Sequence, residues 1–395
     1  MKLEKSFRWF GPDDDISLEE IRQIGATGIV TALHHIPNGD IWSQAEIKIR
    51  LDEIQQNGLN WRVVESLPVH NSIKAGLDRR DELIENYKIS MANLAEHGID
   101  TICYNFMPIL DWVRTNLSFK LPDGGITMQY DHITFATFDI YILKRPNAAN
   151  DYSEEVIHLA EQRFAAMTDK EAEELAHTII IITQGFIDGL VDGNQADYKS
   201  KFLSYINEYE DIGTDELREN LAYFLDRIIP SAEKYGIKMA IHADDPAFPV
   251  LGLPRIVSTE KDLDWILNRN KSVNNGITFC TGSFSSRKEN NITQMAEKFA
   301  DRIHFLHLRN TKYISKYEFI ESGHLEGDVD MYSVMKTMVS QNRTIPMRPD
   351  HGIKILNDDN RNANPGYPLI GRMKGLAELT GLESAITTHF HMHHH

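Results

Sequence analysis

The stretch Gly236–Pro246, GIKMAIHADDP, decides the fold. Gly236 ends a helical pattern running Leu217–Lys234, and an apolar run follows over Lys238–Ala243. A glycine after the last turn accepts the left-handed backbone that closes many helices. A short continuous apolar run, rather than an alternating one, is what a parallel strand buried on both faces needs. The run then breaks into polar residues at its C-terminal end, beginning with His242.

The same helix–glycine–strand unit recurs in both directions. Strand one is Ser6–Phe10, followed by a helix over Leu18–Ile24. Strand two (Gly28–His34) precedes a helix over Gln44–Gln56, and strand three (Trp61–Ser66) precedes one over Glu82–Glu96. Strand four is Thr101–Phe106; past strand five (Lys238–Ala243) come Ile277–Thr281, Ile303–Arg309 and Thr344–Arg348, and a last helix covers Arg372–Leu379. Gly25, Gly58 and Gly98 repeat the stop seen at Gly236. Eight such units predict an α/β chain closed into a (β/α)8 TIM barrel. The rival, an open doubly wound sheet, lacks a GxGxxG after strand one. One segment breaks the repeat: a long, mainly helical insertion after strand four, about residues 110–213, with helices expected over Ser153–Met167 and Asp169–Ile182 and an ambiguous run at Phe135–Leu143. An insertion after a barrel strand projects from the active face, so it should cover the barrel mouth or make a subunit contact. The whole chain, 1–395, reads as a single catalytic domain.

Charge narrows the function classes. There are 41 basic and 58 acidic residues, a net charge of −17. A nucleic-acid binder would show a basic stripe, and none is visible, so no nucleic-acid partner is expected. The two cysteines, Cys103 and Cys280, are too few for a secreted disulfide scaffold. The start, MKLEKSFRWFG, has no apolar signal core, and no apolar run reaches spanning length, so no membrane partner is expected and a cytoplasmic location is. The histidine-rich tail HFHMHHH is set aside, since a tag would look the same.

In such a barrel the chemistry sits at the C-terminal ends of the strands. Strand five ends with His242, strand six with Cys280, strand seven with His307 and Arg309, and strand eight leads into Arg348, Asp350 and His351. His242, Cys280, His307 and Asp350 therefore offer one metal ligand from each of four adjacent strands. Each has an ordinary reading when taken alone. A lone strand-end histidine is usually a hydrogen-bonded core residue, Cys280 a small buried hydrophobe and Asp350 a helix cap. The set on consecutive strands points to a mononuclear divalent site. The remaining strand ends carry His34, His35 and Asn38, then Glu65, then Tyr104 and Asn105. A ring this polar suits a polyhydroxylated ligand, whose buried hydroxyls need partners. Glu65 and Asn105 either touch that ligand or brace the groups that do.

The chain also resembles the mannonate dehydratase family, a branch of the xylose-isomerase-like barrels. The resemblance is carried by RWFGPDD, GATGIVTALHHIPNG, VVESLPVH, CYNFMPILDW, LPDGG, ILKRP, LGLPRIVST, CTGS, HLR, GDVDMY, MRPDHG, NPGY and IGRMKGLAEL, from Arg8 to about Gly381. It implies conversion of D-mannonate to 2-keto-3-deoxy-D-gluconate plus water, in hexuronate (glucuronate) catabolism, with one Mn2+ or Fe2+ ion per site. It places the metal ligands on His242, Cys280, His307 and Asp350, and candidate acid/base residues on His351 and Tyr367. Ala243 stands where some members are expected to carry proline, and the stretch before MRPDHG is short; neither touches the site.

Such a reaction must remove a weakly acidic C2 proton and expel the C3 hydroxyl. An imidazole titrates near neutrality, so His351 is expected to take the proton, and a phenol, protonated at pH 7, suits Tyr367 to donation. The reverse assignment stays open. Arg348 joins this catalytic set as a hold on the substrate carboxylate, while His35, Glu65, Asn105 and Arg309 are expected to bind substrate. A homo-oligomer is expected, a dimer favoured. A sugar isomerase would want several carboxylates for paired hard metals, an apurinic-site endonuclease a basic face, and a non-catalytic sugar-acid binder no proton-transfer pair.

Overall fold

The computed structural model describes residues 3–184 and 197–393. Residues 185–196 of the expected insertion and the last two histidines of the tail lie outside the described residues. Eight parallel strands close a barrel: β1 (Glu4–Arg8), β2 (Gly28–Thr31), β3 (Asn60–Glu65), β4 (Thr101–Tyr104), β5 (Lys238–His242), β6 (Asn275–Cys280), β7 (Ile303–Leu308) and β8 (Pro346–Pro349), with β8 pairing back onto β1. The repeat thus predicts the architecture, although several strand ends fall one to three residues short of expectation. Past Arg8, Trp9 still donates its N–H to the Val30 carbonyl at 3.0 Å but Phe10 lies beyond the strand, as Leu33 and His34 do after β2.

Local chemistry sets these elements. Gly236 closes the helix Thr214–Tyr235 at φ 69°, where a Cβ would be strained, and Ile237 then donates back to the Ala232 carbonyl at 2.8 Å. Gly25, Gly58 and Gly98 also have positive φ. Inside the barrel, Val30, Val63, Cys103 and Phe305 form a small apolar plug, separate from the large core between strands and helices. The plug excludes water below the polar strand ends, which raises the strength of charge interactions above it.

The insertion departs from expectation in one respect. Its helices are present at Glu154–Ala166 and Asp169–His177, and the ambiguous run resolves into a helix, His132–Thr137, continued by a π-helical turn to Ile142. It also contains a β-hairpin, Asn116–Lys120 and Ile126–Asp131. That hairpin joins a second one, Asn310–Tyr313 and Glu318–Ser322, which follows β7 directly, making a four-stranded antiparallel sheet. The last helix is longer than expected, Leu369–His393. Among the described residues no helix is long and apolar enough to cross a membrane.

Candidate active site

Strand register assembles the site. Cys280 pairs with His307 across β6–β7, and His307 with Arg348 across β7–β8, so three strands present these residues at one level. His242, at the end of β5, completes the arc, with its Nε2 3.0 Å from His307 Nδ1. The donor atoms of His242, Cys280 and His307 all lie within 4.8 Å of one another. Asp350 follows β8, and its Oδ2 is 3.7 Å from both Cys280 Sγ and His307 Nδ1. These four residues, expected from four separate strands, meet in one place.

The donor set fits a divalent ion. Ligand atoms each about 2.0–2.3 Å from one centre lie at most about 4.6 Å apart, close to the spread found here. His242 Nδ1 points 2.6 Å from the Ala243 carbonyl, which leaves Nε2 for coordination. Cys280 is buried, which alone would raise its pKa, but the Arg309 guanidinium and hydrogen bonds from His242 and His307 bring it well below the usual thiol range. The thiolate is therefore favoured before any metal arrives. Burial likewise pulls His242 down, yet the neighbouring sulfur outweighs it and lifts the imidazole to about 9. Asp350 Oδ1 is buried without a hydrogen-bond partner, 2.6 Å from Arg348 Nη1. Burial would raise the Asp350 carboxyl too, but Arg348 and its cationic neighbours hold it well below the usual range.

Beside this cluster lies a cavity of about 460 Å³, whose wall includes His242, Asp350, His351 and Tyr367. The rings of His351 and Tyr367 meet edge to face, 5.0 Å between centroids, and Trp112 lies 5.6 Å from His351 on its other side. His351 Nδ1 is 2.7 Å and 2.8 Å from the two Glu321 carboxylate oxygens. Burial pushes the Tyr367 phenol up, against the pull of Arg348, whose guanidinium carbon lies 5.7 Å from its ring centroid.

The four expected substrate-binding residues, His35, Glu65, Asn105 and Arg309, all line this cavity, each with protein partners of its own. Glu65 lies on the wall with Oε1 accepting from Arg348 Nη2 at 2.9 Å and Oε2 3.3 Å from His307 Nε2, so it faces a metal-ligand candidate. Arg309 is enclosed: its guanidinium meets Glu321 at 2.9 Å, Asp350 at 2.8 Å, and Asp245. Asn105 accepts from Lys74 at 3.2 Å and donates to Asp111 at 3.0 Å. His35 sits at the rim, about half exposed, with Nε2 2.8 Å from Glu46.

Five residues that strand-end reasoning passed over belong to the same assembly. Arg8, at the end of β1, lies 3.3 Å from Glu65. Trp112 and Arg114 come from the start of the insertion, and Arg114 binds Asp245 and Glu321 at 2.8 Å and 2.7 Å. The insertion therefore begins at the cavity. Arg8 and Asp245 stood inside motifs already legible, RWFGPDD and IHADDP; Glu321 carried no local signal.

A model of the D-mannonate dehydratase (UxuA) family matches residues 1–393. The mannonate dehydratase of Chromohalobacter salexigens is 47% identical over 393 residues, 97% of this chain and 99% of that protein. That of a Marinomonas species is 45% identical over 391 residues, covering 96% and 98%. The crystal structure of mannonate dehydratase from Streptococcus suis serotype 2 matches with a TM-score of 0.78 at 34% identity, over 98% of this chain and 94% of that one. A D-tagatose 3-epimerase-like structure, at 12% identity and a TM-score of 0.52 over 98% and 100%, shares the barrel fold alone. With its length matched nearly end to end, the chain belongs to the D-mannonate dehydratase family.

Proposed function

We propose that this chain removes water from D-mannonate to give 2-keto-3-deoxy-D-gluconate, a hydro-lyase reaction of hexuronate (glucuronate) breakdown. The observation that carries the reading is the placement of His351 and Tyr367, their rings 5.0 Å apart, in one cavity that the His242 and Asp350 members of a His/Cys/His/Asp cluster also line. A space of about 460 Å³ accommodates a six-carbon acid.

His242, Cys280, His307 and Asp350 would hold one Mn2+ or Fe2+ ion. Such an ion, when bound, supplies Lewis acidity that stabilises charge developing on substrate oxygens. Arg348 holds the substrate carboxylate, while Arg309, enclosed by three carboxylates, braces Asp350 and the Cys280 sulfur. His351 takes the C2 proton on Nε2, since its Nδ1 is engaged by Glu321. The C2–H electron pair becomes the C2=C3 bond as the C3–O bond breaks. Tyr367, whose phenol is kept protonated by burial, gives its proton to the departing hydroxyl. The enol then gains a proton at C3 as its C2 hydroxyl loses one, and becomes the 2-keto acid. Glu65, Asn105 and His35 serve the sugar hydroxyls directly or through the groups they hold. Trp112, from the insertion, shields His351 from bulk water.

The reading further takes residues 1–395 as one catalytic domain, working in the cytoplasm as a homo-oligomer, a dimer favoured. Metal-loaded protein incubated with D-mannonate should yield the 2-keto acid, followed by NMR; folded, metal-loaded protein that yields none contradicts the reading.

A further inference from the structure

We infer that Glu321 is a positioning residue for the proposed dehydration: it fixes the ring orientation and tautomer of His351, so that Nε2 presents a lone pair to the substrate. The inference rests on the dehydratase reading and adds a residue 30 positions upstream in the chain, brought in by the second hairpin.

Both carboxylate oxygens face His351 Nδ1, but only one of them also carries the arginines. Oε1 accepts from Arg114 Nε at 3.0 Å, Arg114 Nη2 at 2.7 Å and Arg309 Nη1 at 2.9 Å. Oε1 also lies 2.8 Å from His351 Nδ1, whereas Oε2, among these groups, meets that nitrogen alone, at 2.7 Å. The carboxylate is 4% exposed as a residue, so solvent does not compete for it. An ionised carboxylate only accepts hydrogen bonds, so the ring nitrogen facing it must carry the hydrogen. The neutral imidazole then has its lone pair on Nε2, the atom left for the cavity. The hairpin is anchored where this matters: Thr127 Oγ1 donates to the Glu321 carbonyl at 2.7 Å, and Glu321 pairs with Thr311 across the sheet. The accessory sheet thus has a catalytic consequence, since it delivers the residue that orients the base.

Glu321→Gln is the informative variant. The guanidinium N–H groups require the amide oxygen, so the amide NH2 turns to His351. Nδ1 must then accept, and the proton moves to Nε2, the wrong atom for taking a proton from C2. A tautomer error with geometry intact is costly in other imidazole–carboxylate pairs. We expect kcat to fall by on the order of a hundredfold or more, with KM for D-mannonate and bound metal within about threefold of wild type. In a His351→Asn background the same substitution should cost less than about threefold, because it acts through the imidazole. Nitrogen-15 NMR should show the His351 proton moving from Nδ1 to Nε2, a readout independent of turnover. If Glu321→Gln does not fold, Glu321→Asp keeps the charge and withdraws it from His351, with the same expected kcat loss. Unchanged kcat, or an equal loss in the His351→Asn background, overturns the inference alone. Wild-type protein that does not convert D-mannonate overturns the dehydratase reading and the inference with it.

Discussion

His242 Nε2 and His307 Nδ1 lie 3.0 Å apart, each at the end of its own barrel strand. Two nitrogens about 2.1 Å from one ion lie roughly 3.0–3.4 Å apart for ligand angles between a right angle and the tetrahedral value. The barrel has therefore brought the pair to coordinating separation through backbone register, with Cys280 on the strand between them and Asp350 just past the strand beyond closing the set.

Cys280→Ser replaces a favoured thiolate with a neutral hydroxyl at the softest ligand position. Metal retained after dialysis should drop, with affinity more than about tenfold weaker. A variant that keeps full occupancy and activity would leave Cys280 as a buried side chain and nothing more.

Glu65→Gln tests support of a ligand from behind. Glu65 Oε2 sits 3.3 Å from His307 Nε2, the ring nitrogen opposite the metal side. Loss of the charge should weaken metal binding about 10–100-fold, the usual worth of such a partner. An unchanged metal dissociation constant would separate Glu65 from the centre.

Acid stability follows from Glu321. Burial opposes its ionisation, but His351 and then Arg309 and Arg114 outweigh it and bring the carboxyl from 4.5 to about 2. A depressed carboxylate contributes stability above its unfolded pKa and loses it as pH falls through the folded one. That contribution, on the order of 3 kcal/mol, should be complete above about pH 4.5 and fade toward about pH 2. Urea unfolding should show wild type more stable than Glu321→Gln at about pH 5.5, with the gap narrowing at about pH 3. A gap that widens on acidification reverses the sign and refutes the assignment.

His351→Asn and Tyr367→Phe should both retain metal and lose kcat by on the order of a hundredfold or more. Deuterium exchange at C2 of unreacted D-mannonate separates their roles, where the wild type exchanges detectably. Exchange lost in the tyrosine variant but kept in the histidine variant would show the two assignments reversed.

The barrel was legible because burial on both faces makes each strand a continuous apolar run, and because a helix end that needs positive φ selects glycine. The clustering of the four candidate ligands was legible for a related reason: His242, Cys280 and Asp350 stand where apolar runs give way to polar residues. The hairpin Asn116–Asp131 escaped, although its turn, LPDGG, contains Gly124 at φ 91°. Its strands lie outside the barrel: in the first, Asn116, Ser118 and Lys120 are exposed, and in the second the buried positions include the polar Thr127 and Asp131, so neither reads as a continuous apolar run. Glu321 escaped because only pairing between two distant hairpins carries it to His351, and no local pattern encodes such a meeting.

The most direct measurement is activity against metal added back to chelator-treated protein. Dehydration of D-mannonate should rise from near zero in proportion to bound Mn2+ or Fe2+ and level off at about one ion per chain. Full activity in metal-free protein, or a rise that continues to about two ions per chain, would contradict a mononuclear metal-dependent dehydratase.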